Sequence, residues 1–280
     1  MIIALFPNLL KSSSRNIAVG IVQFLGSYGI TVVAENEVAK DIGANSLDSI
    51  AAETVDFIIS LGGDGTILRV IHNHPEIDAP ILAINLGSLG FMADTPVKDI
   101  YPSLESLLNG NYRIQNRLIM EGLSSHNEHC FAVNEIVIHR ATNPCLVEVA
   151  IHVDGSYLNT FAADGIIVST PSGSTAYSLA AGGPILTPEL EAFVLTPINP
   201  HTISNRPIVL MPQKEIQLQY ISDYEKLEIT YDGFPRYKMA TGEIFRISRS
   251  KRQFKLVLLP THDYFATLRN KLGWSGKLKA

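Results

Sequence analysis

The sequence is short of three things, and each absence narrows what the protein can be. It has two cysteines in 280 residues, Cys130 and Cys145. Two are too few for a disulfide framework or a cysteine-based metal site, and they suit a reducing compartment. No run approaches the roughly 18 uninterrupted apolar residues that cross a bilayer. The apolar opening Met1 to Phe6 meets Pro7-Asn8 before it reaches the length of a signal-peptide core. Basic residues are outnumbered, 22 Lys and Arg against 27 Asp and Glu, for a formal charge of −5. That balance offers no general attraction for nucleic acid or anionic lipid. A soluble cytoplasmic protein is expected, with no nucleic-acid or membrane partner. What is present is an ordinary globular mixture, 46 % hydrophobic and 18 % charged, enough to bury the core of one large domain or two modest ones.

The first part of the chain alternates short apolar runs with helical periods. Ile2 to Phe6, Thr31 to Ala34, Asp56 to Leu61 and Pro80 to Ile84 read as strands. Ile17, Ile21, Phe24 and Leu25 recur at helical spacing before Gly29, and Ile67, Leu68 and Ile71 begin another helix. Strands separated by helices predict a parallel sheet covered on both faces, an α/β domain. Ligands gather at the carboxyl ends of such strands, where both glycine-rich turns fall, residues 62–65 and Asn85 to Phe91. Val97 to Asn109 reads as a helix ending at Gly110. Beyond it the apolar runs are short and rich in β-branched residues: Phe131 to Ile138, Leu146 to Val153, Gly165 to Ser169, Ile216 to Tyr220, Leu227 to Tyr231 and Phe254 to Leu259. Turns at Asp154-Gly155 and Asp232-Gly233 separate several of them, which predicts a β-rich second domain. Tyr264 to Leu272 regains helical spacing and is expected to pack back on the first domain. The expected divisions are 1–112, 113–260 and 261–280.

Four segments carry candidate chemistry. Leu61-Gly-Gly-Asp-Gly-Thr66 lets the backbone turn sharply and approach a ligand, and the amides of the helix that follows can hold a phosphate. A carboxylate in that nest repels phosphate unless it binds a metal ion or accepts a substrate proton, which makes Asp64 a mechanistic candidate. The spacing fits neither a P-loop nor the dinucleotide pattern Gly-x-Gly-x-x-Gly. Asn85-Leu-Gly-Ser-Leu-Gly-Phe91 bends a second loop, with Phe91 and Met92 able to pack on a flat ring. Asn134-Glu135 falls within the apolar run Phe131 to Ile138, so one of the two is expected to point inward and need a partner. An amide and a carboxylate suit adenine nitrogens and ribose hydroxyls. Asp164 to Tyr177 ends a buried strand in small hydroxyl residues and opens a helix, with Tyr177 offering a stacking face.

In this order the motifs resemble the NAD kinases, nearly end to end. The resemblance includes Gly62-Gly-Asp-Gly65, Asn85-x-Gly-x-Leu-Gly-Phe91, Asn134-Glu135 and Asp164-Gly-x-x-x-Ser-Thr-Pro-x-Gly-Ser-Thr-Ala-Tyr177. Pro184-Ile-Leu-Thr-Pro188, Pro200-His-Thr202 and Lys271-Leu-Gly-Trp274 are similar to the bacterial branch. The resemblance implies a Rossmann-like α/β domain followed by a β-sandwich-like domain, with the active site between them, assembled as dimers or tetramers. It implies transfer of the terminal phosphoryl group of ATP to the 2′-hydroxyl of NAD's adenosine ribose, with a divalent cation, magnesium by expectation. It makes Asp64 the proton acceptor and brings Gly62, Gly63, Gly65 and Thr66 to the phosphates. The dinucleotide would meet Asp64, Gly65, Arg69, Phe91, Asn134, Glu135, Asp164, Ser172, Thr175, Ala176, Tyr177, Ser178 and Ala180. No residues are offered as a resident metal site.

Some positions depart from the family pattern. Ala162 stands where many members carry a basic residue, Cys145 and Phe234 where relatives often place polar or basic groups, and Ala180 for a frequent Ser. These changes bear on NAD affinity and on the choice between NAD and NADH. The rival enzyme is a lipid kinase of the same superfamily, disfavoured because Ile67-Leu68-Arg69 follows Thr66 where such enzymes carry Asn-Glu-Val. The rival outside enzymes is an NAD-binding regulatory module, against which the intact Asp64 argues. Arg246, Arg249, Lys251, Arg252 and Lys255 form the only basic cluster, expected as a solvated turn before Phe254.

Overall fold

The computed structural model describes residues 1–202, 204–274 and 276. Two compact units account for the chain, one formed by Met1–Asn116 together with Lys255–Ala280, the other by Arg117–Phe254. In the first unit the elements alternate: β1 (Ile2–Pro7), α1 (Ser14–Ser27), β2 (Thr31–Ala34), α2 (Asn36–Ile42), β3 (Asn45–Ser46), β4 (Phe57–Gly62), α3 (Asp64–Asn73), β5 (Ile81–Asn85), β6 (Thr95–Pro96) and α4 (Ile100–Leu108). The strands pair in parallel in the order β3-β2-β1-β4-β5-β6. Every residue of β4 and β5 is buried, which is why both read as unbroken apolar runs. Helix α1 buries Ser14, Ala18, Ile21 and Leu25, a stripe at helical spacing; Ile17 and Phe24 pack half-buried at its edge. Ile3, Leu5, Ile59, Leu61 and Ile84 join it in one core, each such side chain stabilising the fold by about 1.5–3 kcal/mol over exposure.

The second unit is built from strands. They are β7 (Arg113–Leu123, which begins in the first unit), β8 (His129–Ala132), β9 (Glu135–His139), β10 (Val147–Val153), β11 (Ser156–Ala163) and β12 (Gly165–Ser169). After a short helix, α5 (Tyr177–Ala180), come β13 (Phe193–Ile198), β14 (Ile208–Leu210), β15 (Ile216–Tyr220), β16 (Leu227–Tyr231), β17 (Phe234–Met239) and β18 (Ile244–Leu258). One antiparallel run follows the order β11-β10-β15-β18 and another β14-β13-β12-β9-β16-β17. Strands β15 and β16 alternate buried and half-buried residues, the period expected when one face meets a core. That core includes Val149, Ile151, Leu218, Phe245, Ile136, Ile138, Ile166 and Phe193. The chain's last helix, α6 (Tyr264–Leu272), belongs to the first unit. Leu256, near the end of β18, pairs in parallel with Ile81.

Two expectations are corrected. The run Phe131 to Ile138 is not one strand: it breaks between β8 and β9, at Val133-Asn134. The Asp232 carboxylate causes the break by accepting the amides of Val133 (2.8 Å), Asn134 (2.7 Å) and Glu135 (3.1 Å), so these donors need no strand partner. The basic cluster is not a turn but part of the continuous strand β18. Four of its five charges meet a partner: Arg246 stands 4.0 Å from Glu215, Arg249 meets Glu191, Lys255 meets Asp78, and Arg252 lies 5.4 Å from the centre of the Phe131 ring. Among the described residues, no helix is long and apolar enough to cross a membrane.

Candidate active site

In the first unit β4 ends at Gly62 and α3 starts at Asp64, with Gly63 as its N-cap in extended conformation. The Thr66 amide closes onto the Gly63 carbonyl at 2.8 Å. This tight entry throws the Asp64 side chain toward the loop after β5. There its Oδ1 accepts the amides of Met92 (3.1 Å) and Ala93 (2.8 Å), and its Oδ2 accepts the amide of Phe91 (2.8 Å). A carboxylate has about four lone-pair positions, so one on Oδ2 stays available to a further donor. Glycine is required at position 90: a Cβ there would stand 2.1 Å from Asp64 Oδ1 and 3.0 Å from the Ala93 carbonyl oxygen. Asn85 braces the same loop, accepting the Gly87 amide at 2.7 Å and donating to the Ser88 carbonyl at 2.6 Å. Arg69 and Thr66 line a cavity of about 260 Å³ with Phe6, Asn8, Glu35 and His74. Arg69 is exposed, and Gly65 lies open at the start of α3.

In the second unit Glu135, 8 % exposed, opens β9. Burial, then the nearby Asp232 carboxylate, push its carboxyl from an ordinary 4.5 up to about 8, against a lowering hydrogen bond from the Tyr177 backbone. That shift favours the protonated form of Glu135 near pH 7. Asn134 Oδ1, Glu135 Oε2 and Ser169 Oγ are all buried without a hydrogen-bond partner, and Ser169 stands opposite Glu135 in the β9–β12 register. Buried polar atoms left open cost about 1–3 kcal/mol each, which makes Glu135, the Ser169 opposite it and the neighbouring Asn134 candidates for meeting a ligand. Gly173 is needed beside them: a Cβ would meet the Asn134 carbonyl oxygen at 2.1 Å.

The remaining predicted residues divide. Thr175 and Ala176 are half-buried, Tyr177 and Ala180 exposed, all in the turn that Glu135 touches. Ser172 Oγ accepts from the guanidinium of Arg117 at 3.2 Å, and Arg117 is itself 2 % exposed. Ser178 is fully buried and its hydroxyl shares a 2.9 Å hydrogen bond with Thr196, directed inward. Asp164 is not brought to this group. It sits at the opposite end of β12 from Ser169, about 17 Å along a five-residue strand. Its carboxylate meets Arg140 at 2.7 Å and Asn199 at 3.0 Å. Of the departing positions, Cys145 and Ala162 line one cavity with His201, while Phe234 packs 6.2 Å from the ring of Tyr231. No group of three or more His, Cys, Asp or Glu among the described residues could hold a metal ion. Sequence reasoning missed Asp232 and Arg117: one reads as a turn residue and the other as a polar residue on a strand, and no local signal marks either.

Comparison with known proteins supplies the family. A family model for the ATP-NAD kinase N-terminal domain matches residues 3–112, and one for the ATP-NAD kinase C-terminal domain matches residues 133–259. The chain is 61 % identical over 277 residues to an NAD kinase of Protochlamydia amoebophila, covering 99 % of each chain. It is 38 % identical over 280 residues to an NAD kinase of Geotalea daltonii, covering 97 % of this chain and 98 % of that one. Among solved structures it is similar to yeast NADH kinase complexed with NADH, at a TM-score of 0.89 and 25 % identity over 100 % of this chain and 89 % of that one. It is also similar to an NAD kinase from Archaeoglobus fulgidus in complex with ATP, at a TM-score of 0.75 and 25 % identity over 99 % of this chain and 100 % of that one. With both halves matched in order and a relative at this identity over nearly every residue, the chain belongs to the NAD kinase family.

Proposed function

We propose that Asp64 receives the proton of the adenosine-ribose 2′-hydroxyl as that oxygen attacks the terminal phosphorus of ATP. The new bond joins the 2′-oxygen to phosphorus, the bond from that phosphorus to the bridging oxygen of ADP breaks, and the products are NADP and ADP. The observation that carries this reading is the state of the Asp64 carboxylate. Three amides fix it in place, yet one lone pair on Oδ2 stays open. Phosphoryl transfer depends mostly on positioning and charge stabilisation, and a carboxylate held by three backbone donors is well positioned. The N-terminal end of α3, with Gly62, Gly63, Gly65 and Thr66 around it, suits the phosphates. ATP enters this reading together with its magnesium ion as one substrate, because a cation that stays with nucleotide phosphates needs few protein ligands.

Adenosine recognition falls to Asn134 and Glu135. The open Oδ1 of Asn134 accepts from an amino group or hydroxyl, and the neutral carboxyl of Glu135 can donate to a ring nitrogen. Tyr177 supplies an exposed ring beside them. The reading further holds that two or four copies assemble in the cytoplasm and that Asp164 and Ala180 serve an outer part of the dinucleotide site. Purified protein incubated with ATP and magnesium is expected to convert NAD to NADP, and NADH assayed beside it tests the acceptor preference left open by Ala162 and Phe234. Asp64→Asn is expected to lower turnover by roughly 100-fold or more, with little change in the NAD concentration needed. Near-normal turnover of that variant would remove Asp64 from the chemistry.

A further inference from the structure

The loop that holds Asp64 is itself held from the far end of the chain. Phe91, Met92 and Ala93 donate to the Asp64 carboxylate, and the next residue, Asp94, accepts a hydrogen bond through Oδ2 from Nδ1 of His262. The His262 side chain is 7 % exposed and that of Asp94 20 %, so little solvent competes for the pair. His262 lies one residue before Asp263, which caps α6 by accepting the Ala266 amide at 2.9 Å. At the other end of that helix, Nζ of Lys271 stands 5.4 Å from the centre of the Phe91 ring, within cation–π range. Helix α6 and the turn that leads into it thus grip the four-residue segment 91–94 at its first and last members. The gripped segment is the one whose amides set the Asp64 carboxylate. Met92 and Ala93, between the two grips, are buried, so the segment cannot drift without disturbing the core beneath it.

We infer that His262, and more weakly Lys271, are positioning residues for the phosphoryl transfer. They act through Asp94 and Phe91 to keep the amides of residues 91–93 where Asp64 presents its free lone pair to the acceptor hydroxyl. Neither residue needs to touch substrate. This role gives the closing Lys271-Leu-Gly-Trp274 segment a task in the chemistry as well as in packing. The inference rests on the reading of Asp64 as proton acceptor, and the two stand or fall by different measurements.

The test is steady-state kinetics on the full chain. His262→Ala is expected to lower kcat about tenfold, since small misplacements of a reacting group cost rate steeply, with KM for NAD and for ATP within about twofold. His262→Asn places a side-chain amide where Nδ1 stands and is expected to recover most of the rate. Lys271→Gln is expected to lower kcat about twofold to threefold. In an Asp64→Asn background, which retains a small rate, adding His262→Ala is expected to change little, because a residue that acts through Asp64 has nothing left to position. If His262→Ala fails to fold, Asp94→Ala, which removes the acceptor of the same hydrogen bond, carries the same expected loss of kcat. Wild-type kcat in His262→Ala overturns the inference, as does an equal tenfold loss in both backgrounds or an Asn variant no better than Ala. Near-normal activity of Asp64→Asn overturns the reading of Asp64 itself.

Discussion

Each unit fixes a loop of its candidate site with the same device, and the difference lies in what the fixing aspartate does next. In the first unit Asp64 gathers the amides of residues 91–93; in the second Asp232 gathers those of residues 133–135. Three charge-assisted hydrogen bonds to successive amides hold a loop as firmly as a strand partner does. Asp64 sits at a helix start among glycines with a lone pair to spare, so on our reading the brace is also the reacting group. Asp232 sits in a hairpin turn, and its negative charge helps to keep Glu135 protonated beside it. One aspartate works by what it accepts, the other by what it imposes on its neighbour.

Removing the two charges breaks the comparison most directly. Asp64→Asn is expected to lose roughly 100-fold or more in kcat with KM for NAD nearly unchanged. Asp232→Asn is expected to do the reverse, with KM for NAD rising about tenfold and kcat largely kept, since a weakened brace disorders the recognition loop. Parallel kinetics on the two variants decide the matter; if both change kcat alike, the division of labour is wrong. The two neighbouring glycines sharpen it. A Cβ at Gly90 would press first on the Asp64 carboxylate, a side chain, whereas one at Gly173 would press on the Asn134 backbone. Gly90→Ala is accordingly expected to cost mostly rate, about tenfold, and Gly173→Ala mostly stability, about 1–3 kcal/mol by denaturant unfolding.

The neutral state of Glu135 gives the second unit a pH signature. Its carboxyl holds its proton in the folded protein up to about pH 8, while in the unfolded chain it ionises above its ordinary 4.5. Across that interval the folded state binds more protons, so stability falls as pH rises. Between pH 6 and pH 8 the expected loss is roughly 2 kcal/mol. Glu135→Gln, which cannot ionise, is expected to flatten that slope in unfolding curves taken across the range. A slope unchanged by the substitution would place the titration elsewhere.

The legible parts of the molecule were those whose causes are local. Buried parallel strands such as β4 and β5 announce themselves as continuous apolar runs, and a strand meeting Gly62-Gly-Asp-Gly65 announces a tight entry into a helix. The run Phe131 to Ile138 misled because its apolar pattern passes straight through the break. What breaks it is Asp232, 98 residues away from Asn134. The grip of His262 on Asp94 spans 168 residues; a histidine and an aspartate so far apart carry no pattern until the fold joins them. The hydroxyl-rich stretch Ser172 to Ser178 reads from the sequence as one ligand-binding segment, and there too the fold separates what the chain lists together.

Ser178 tests that separation with the smallest effect. Its hydroxyl lies at 0 % exposure against Thr196 Oγ1, whereas Tyr177 before it and Ala180 after it are exposed. A short helix turns successive residues through about 100°, so neighbours in this stretch cannot all face one ligand. Ser178→Ala removes one partner of a buried hydroxyl pair and leaves Thr196 open, at a cost of about 1 kcal/mol in unfolding free energy. KM for NAD is expected to stay within twofold, since the lost oxygen faces the core. A rise of tenfold in KM without loss of stability would return Ser178 to the dinucleotide site and require the α5 turn to rotate when ligand binds.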